Sequence, residues 1–309
     1  NDSLEPLDRE SWLERSAGWQ HDPMNPRTFF FPKDEEDPDD RESTVSALEL
    51  PGAPPQPYST PRSDVPAGKL EMYRLRSELL ENERRVWIYT PPGYSSEGEP
   101  YGLFVVFDGW AYIELVPTPV ILDNLLAEKK IPPLVTVLID SMAHEVRNRE
   151  LPCHQPFVDF LTTELLPWVR ERYHVTTEPA RTIVGGSSYG GLAAAFAALH
   201  APDVFGNVLS QSGSFWWKPE AASEHEWLAR QYVLNPKLPL HFYLDVGLRE
   251  NGPTPDNGPS QVVVNRHMRD VLQAKGYPVQ YAEFMGGHDY ICWRGTLVDG
   301  LLALLAKDR

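Results

Sequence analysis

Thr182-Ile183-Val184-Gly185-Gly186-Ser187-Ser188-Tyr189-Gly190-Gly191-Leu192 decides how the rest of the chain is read. A β-branched run stops at a glycine-rich turn, and an alanine- and leucine-rich segment, 193–199, follows with the composition of a helix. Within it, Gly186-Ser187-Ser188-Tyr189-Gly190 fits G-x-S-x-G, a strand-turn-helix element that presents a serine hydroxyl at the end of a sheet. The glycines let the turn close around a strained serine backbone. Only one register works, because centring the pattern on Ser187 would require glycine where Tyr189 stands. Ser188 is therefore the candidate nucleophile. The competing reading is an ordinary glycine-rich turn, and the flanking strand and helix patterns argue against it.

A serine hydroxyl is a weak nucleophile at neutral pH. It needs a base within hydrogen-bond reach, and the base needs a carboxylate to orient it. Where this elbow occurs, acid and then histidine follow the serine, each in a loop at the carboxyl end of a strand. Downstream of Ser188 stand His200, His225, His241, His267 and His288. Only His288 follows a strand-like run (279–284) and sits in a loop, Gly286-Gly287-His288-Asp289, ahead of the last helical segment. It is the candidate base; His267 falls in a helical pattern. For the acid, the strand-like run 241–246 ends at Gly247, and Glu250 lies in the loop directly after it. Asp245 competes from inside the strand, and Asp256 is a more distant third. Glu250 is the candidate acid. An oxyanion hole requires two backbone donors. One is the N–H of Tyr189, and the other is the N–H of Gly109 or Trp110 in Phe107-Asp108-Gly109-Trp110, unless that segment is a plain turn.

Working outward, a hairpin is expected from Leu70-Met72-Arg74 and Val86-Ile88, turning at 80–83. Strand-like runs at 103–107, 134–139, 207–210, 241–246 and 279–284 then alternate with helical patterns. The helices are expected at 120–126, 157–173, 224–232, 262–274 and 297–306. The pattern predicts an α/β-hydrolase fold: a mainly parallel central sheet, helices on both faces and an antiparallel hairpin at the N-terminal edge. Residues 1–66 differ in composition and are expected to form an acidic, proline-rich arm ahead of a catalytic domain at 67–309. The block Asp34-Glu35-Glu36-Asp37-Pro38-Asp39-Asp40 reads as a solvated loop, while Trp12, Trp19, Phe29, Phe30 and Phe31 read as anchors to the body.

A net charge of −16 argues against nucleic acid and anionic membrane surfaces as partners. A local arginine cluster can still favour an anionic substrate, because fields are screened beyond ~8 Å. No apolar run approaches the ~18 residues of a membrane span. Residues 1–15 contain no signal-peptide apolar core, although a chain starting at Asn1 is compatible with a preceding segment. No protein partner is evident. Cys153 and Cys292 allow one disulfide or two thiols, too few for a structural zinc site.

The chain resembles the catalytic domain of the enterochelin (enterobactin) esterases, within the wider esterase-D group. The resemblance rests on Ala47-Leu48-Glu49-Leu50-Pro51, Ala53-Pro54-Pro55-Gln56-Pro57, Arg84-Arg85-Val86-Trp87-Ile88 and Glu150-Leu151-Pro152-Cys153. It continues through the elbow, Leu209-Ser210-Gln211-Ser212-Gly213-Ser214, Trp216-Trp217, Gly247 with Arg249-Glu250, and Gly286-Gly287-His288-Asp289 with Cys292-Trp293-Arg294-Gly295. It implies a cytoplasmic serine esterase that opens the trilactone backbone of a catecholate siderophore, free or iron-loaded. Ser188, His288 and Glu250 match the family's catalytic positions. No cofactor is implied, and iron would belong to the substrate. The sequence departs from the family in two places. The family's N-terminal β-sandwich domain of ~100 residues is represented by at most a tail around Asp22-Pro23-Met24-Asn25-Pro26, and 251–259 reads as a glycine- and proline-rich insertion.

Such a substrate is aromatic and, with iron, anionic. Candidate contacts are Trp110, Tyr112, Phe215, Trp216, Trp217 and Trp293, with Arg147, Arg149, Arg249, Arg294 and Lys218 as cations. The competing readings are core packing for the aromatics and structural ion pairs for the arginines, with Glu150 an obvious partner of Arg147 or Arg149. A serine carboxylesterase for another acyl ester, such as a feruloyl ester, would share every triad residue. A binding module with a vestigial site is the third reading, disfavoured by the complete serine-acid-histidine order.

Overall fold

Two short strands, β1 (Thr28–Phe31) and β2 (Ser43–Ser46), open the computed structural model as an antiparallel pair of their own. The structure describes residues 22–305, residue 39 excepted, so the anchors expected at Trp12 and Trp19 lie outside the described residues. The central sheet contains β3 (Lys69–Ser77), β4 (Asn82–Thr90), β5 (Gly102–Phe107), β6 (Leu134–Ile139), β7 (Thr182–Ser187), β8 (Asn207–Gln211), β9 (His241–Gly247) and β10 (Val279–Phe284). Their order is β10-β9-β8-β7-β5-β6-β4-β3. β3 and β4 form the expected antiparallel hairpin, β4 runs antiparallel to β6, and the other six strands are parallel.

Burial explains why these runs become strands. β5 reads Gly-Leu-Phe-Val-Val-Phe and β6 Leu-Val-Thr-Val-Leu-Ile, nearly all buried, as strands covered on both faces must be. β3, at the edge, alternates half-buried and exposed side chains instead. The nine helices named here are α1 (Ala111–Glu114), α2 (Thr118–Ala127), α3 (His144–Glu150), α4 (Gln155–Phe160), α5 (Leu166–Arg172), α6 (Tyr189–His200), α7 (Trp227–Leu234), α8 (Gln261–Ala274) and α9 (Tyr290–Leu305). α4 to α8 supply the apolar layer on one face of the sheet, through residues such as Phe160, Val169, Ala194, Leu228 and Met268. α1, α2 and α9 cover the other with Tyr112, Ile121, Leu122, Trp293 and Leu297. Each fully buried Val, Leu, Ile, Phe or Met side chain contributes roughly 1.5–3 kcal/mol over its exposed state.

Three expectations need correction. The helix expected over 157–173 is α4 and α5 joined by a π-turn at Leu161–Leu165. Pro167 follows that turn and has no N–H to return to the helix, so the wider winding absorbs the missing bond. The last helix begins at Tyr290 rather than 297, because Gly295 and Gly300 weaken the local helical signal while packing holds the turn closed. The acidic block is not simply solvated. Asp34 Oδ1 accepts from Arg85 Nη1 at 2.9 Å and Glu36 pairs with Arg74 at 2.6 Å, fixing the arm to the β3–β4 hairpin.

Candidate active site

β7, β8, β9 and β10 are parallel neighbours, so the loops leaving their carboxyl ends share one rim. Ser188 stands between β7 and α6 with φ 58° and ψ −120°. That conformation costs a non-glycine residue of order 1–3 kcal/mol and survives only where the surroundings enforce it. Here the Ser188 N–H donates to Gln211 O at 2.9 Å, and its carbonyl accepts from Ser214 N at 3.0 Å and Leu192 N at 3.1 Å. Gly186 keeps the turn tight, since a Cβ there would stand 3.0 Å from the backbone of Gly190 and push the start of α6 away. The hydroxyl shares a 3.2 Å hydrogen bond with Ser214 Oγ.

Glu250 and His288 are brought together from loops 38 residues apart in sequence. His288 Nδ1 lies 2.6 Å from Glu250 Oε2. The other carboxylate oxygen accepts from Ser212 Oγ at 2.6 Å and from Gly247 N–H at 2.7 Å. The carboxylate side chain is 3 % exposed and the imidazole 41 %, so a fixed acid supports a base open to the rim. Trp293 packs edge-on against the imidazole, with ring centroids 4.8 Å apart, and its indole N–H donates to Ser212 Oγ at 3.2 Å.

Asp245 is hydrogen-bonded to neither Glu250 nor His288 and meets the pair only through Ser212. It is fully buried, its Oδ1 accepts from Ser212 N–H at 3.3 Å, and its Oδ2 has no hydrogen-bond partner among the described residues. Burial pushes its carboxyl up to about 8. Asp256 lies in the short 3₁₀ turn Pro255–Asn257 of the 251–259 loop.

Of the expected oxyanion donors, Gly109 is corrected. Its N–H donates to Ile139 O at 2.7 Å and is therefore spent inside the fold. Trp110 and Tyr189 each stand at the start of a helix, α1 and α6, where backbone N–H groups lack intrahelical acceptors.

The expected cations separate sharply. Arg147 clasps Asp108 through Nε and Nη2, both at 2.7 Å, and lies 5.7 Å from the Tyr189 ring centroid. Burial works against its charge, but Asp108 outweighs burial and holds the guanidinium above its ordinary pKa. Arg149 bonds Glu150 at 3.0 Å, and Glu150 also holds the buried Arg84 at 2.6 Å. Lys218 caps Ala222 O at 2.8 Å. Arg294 donates to Gln56 and faces the Phe29 ring, and burial lowers its pKa. Arg249, next to the candidate acid, is exposed and has no carboxylate partner among the described residues.

Among the aromatics, Tyr112 and Phe215 are core residues at 0 % exposure, and Trp293 is buried beneath His288. The Tyr112 hydroxyl donates to Gln211 Oε1 at 2.7 Å. Trp110, Trp216 and Trp217 remain half-buried. Trp216 packs 5.7 Å from Tyr189 and Trp217 edge-on to Trp227. Both cysteines are free thiols, raised by burial. A cavity of about 780 Å³ opens at the opposite, amino end of the sheet beside Tyr58, Lys130, Ile131 and Leu302, and holds no triad candidate.

Sequence reasoning gave no role to Ser212, Ser214 or Gln56. All three lie within motifs that carry the family resemblance, but nothing local distinguishes them from neighbouring polar residues.

The family model described as putative esterase matches residues 77–304. An iron(III) enterobactin esterase of Dickeya dadantii is 36% identical over 85% of this chain and 62% of its own length. One from Escherichia coli O6:H1 is 34% identical over 96% of this chain and 70% of its own. The chain thus spans less than two thirds of the first relative and somewhat more of the second. A crystal structure of the enterobactin esterase FES from Shigella flexneri, in the presence of enterobactin, superposes with a TM-score of 0.78 at 32% identity, covering 98% of this chain and 75% of that one. With the elbow, the sheet order and the acid–histidine pair already in place, the chain belongs to this esterase family, among the relatives of the enterobactin esterases.

Proposed function

We propose that the chain is a serine esterase that hydrolyses the trilactone backbone of an enterobactin-like catecholate siderophore. The observation that carries this is the 2.6 Å bond between Glu250 and His288 on the rim where the strained Ser188 stands. His288 keeps its Nδ1 proton for Glu250, leaving Nε2 to take the Ser188 proton as Oγ attacks an ester carbonyl. The N–H groups of Tyr189 and Trp110 receive the oxyanion. Collapse breaks the ester C–O bond, and the imidazolium returns its proton to the departing serine hydroxyl of the lactone. Water, deprotonated by His288, then releases the acyl group from Ser188.

The substrate assignment draws on relatives named as iron(III) enterobactin esterases and on a homologous structure determined with enterobactin. Within the site, Arg249 is the cation available to catecholate oxygens, with Trp110, Trp216 and Trp217 as aromatic surfaces. Iron enters as part of the substrate. The reading places the reaction in the cytoplasm; among the described residues no helix is long and apolar enough to cross a membrane.

The test is chromatography of ferric and iron-free enterobactin after incubation with wild type and with Ser188→Ala. Cleavage to linear fragments by wild type alone supports the proposal. Intact siderophore alongside cleavage of a feruloyl or short-chain ester would transfer the assignment to another acyl substrate.

A further inference from the structure

Gln56 belongs to the proline-rich stretch ahead of the sheet, yet both ends of its amide are spent on the helix that follows His288. Its Nε2 donates to Ile291 O at 2.8 Å, and its Oε1 accepts from Arg294 Nε. Gly295 leaves room for the same amide, since a Cβ there would stand 2.8 Å from Gln56 Nε2. Arg294 is backed in turn by the Phe29 ring of β1, 5.4 Å from its guanidinium carbon. The stretch is also held from behind. Asn124 of α2 donates to Tyr58 O at 2.8 Å and to Thr60 O at 3.0 Å, and the Tyr58 hydroxyl donates to Glu128 at 2.8 Å.

The gripped turn carries Trp293. Its ring packs on His288, and its indole N–H reaches Ser212, which holds Glu250. We propose that Gln56 is a positioning residue for the His288–Glu250 pair. By clamping the first turn of α9 against α2, it sets the depth of Trp293 and hence the orientation of the imidazole. The chemistry calls for an amide of this length. It must donate to a carbonyl and accept from a guanidinium at once, which a glutamate cannot do at neutral pH and an asparagine is one methylene too short to span. Arg294 accordingly acts as part of the clamp, with its charge turned toward the arm.

This inference rests on the proposed triad but not on the identity of the ester. Gln56→Ala, Gln56→Glu and Arg294→Gln would be made in the full chain and assayed with p-nitrophenyl butyrate, with the rate of Ser188 labelling by a fluorophosphonate measured alongside. Each variant is expected to lose kcat and labelling rate on the order of tenfold, the scale of a small misplacement of a catalytic group. KM should stay within about twofold, and the double variant Gln56→Ala/Arg294→Gln should be no worse than either single, as for residues acting as one unit. A raised KM with unchanged labelling would make Gln56 a substrate contact and overturn the proposal. Additive losses, or unchanged kcat in folded variants, would overturn it too. If Gln56→Ala fails to fold, Gln56→Glu reads the same outcomes. Failure of wild type to label at Ser188 would instead strike at the triad.

Discussion

Ser212 Oγ donates to Glu250 Oε1 at 2.6 Å, on the oxygen that His288 does not use. With the Gly247 N–H also bound to Oε1 at 2.7 Å, the carboxylate cannot rotate without breaking two bonds. Glu250→Gln should therefore lower kcat by roughly 10³–10⁴, because an amide facing Nδ1 favours the wrong imidazole tautomer. Ser212→Ala should cost about tenfold in kcat with KM unchanged, since it loosens the acid without removing it. Steady-state kinetics with circular dichroism checks both; near-normal turnover of Glu250→Gln would remove it from the triad.

Asp245 gives a pH dependence whose sign follows from its burial. Its carboxyl titrates near 8 in the folded chain, against an ordinary aspartate value of about 3.9 once unfolded. Between those values the folded state holds a proton that the unfolded state has released. Stability from this group therefore falls as pH rises through that window and levels off above it. Asp245→Asn should flatten the slope and gain stability over wild type as pH rises, measured by urea unfolding from pH 5 to 9. An unchanged slope would show that Asp245 is ionised in the fold.

Arg249 and Arg147 should behave differently, because the first is exposed and the second is paired with the buried Asp108. Arg249→Ala should raise KM for an anionic catecholate ester roughly three- to fivefold at low salt, with the difference shrinking as salt screens an exposed charge. Its kcat on a neutral ester should not change. Arg147→Ala should lower the melting temperature, because it strands the buried Asp108 carboxylate. Equal, salt-independent effects of the two variants would count against this division.

The Arg84–Glu150 pair, with side chains 1 % and 2 % exposed, ties β4 to α3. Glu150→Ala should cost about 3–5 kcal/mol, since it leaves a buried guanidinium without its carboxylate. Chemical denaturation is the measurement, and a loss below about 1 kcal/mol would mean that the guanidinium finds another partner.

Much of the framework was legible along the chain because it is local. Continuous apolar runs made β5 and β6 recognisable as strands covered on both faces, and the Gly-x-Ser-x-Gly turn placed Ser188 without reference to any distant residue. The candidate acid and base followed from their positions just past strand-like runs. Less legible were features whose cause is remote. The π-turn before Pro167, the early start of α9 at Tyr290 and the pairing of Asp34 with Arg85 depend on packing that no window of neighbouring residues contains.

The sequence by itself determined the alternation of strands and helices, the one serine able to occupy the elbow, and the positions of the candidate acid and histidine after it. Periodicity and turn chemistry act between near neighbours, so they can be read directly. The tertiary structure decided which charges meet. It gave Arg147 to Asp108 and Arg149 to Glu150, spent the Gly109 N–H on Ile139, and set Gln56 against Arg294 across 238 residues of chain. Those choices turn on distances of a few ångströms between segments far apart in sequence, where Coulomb and hydrogen-bond energies are settled only once the sheet has brought them together.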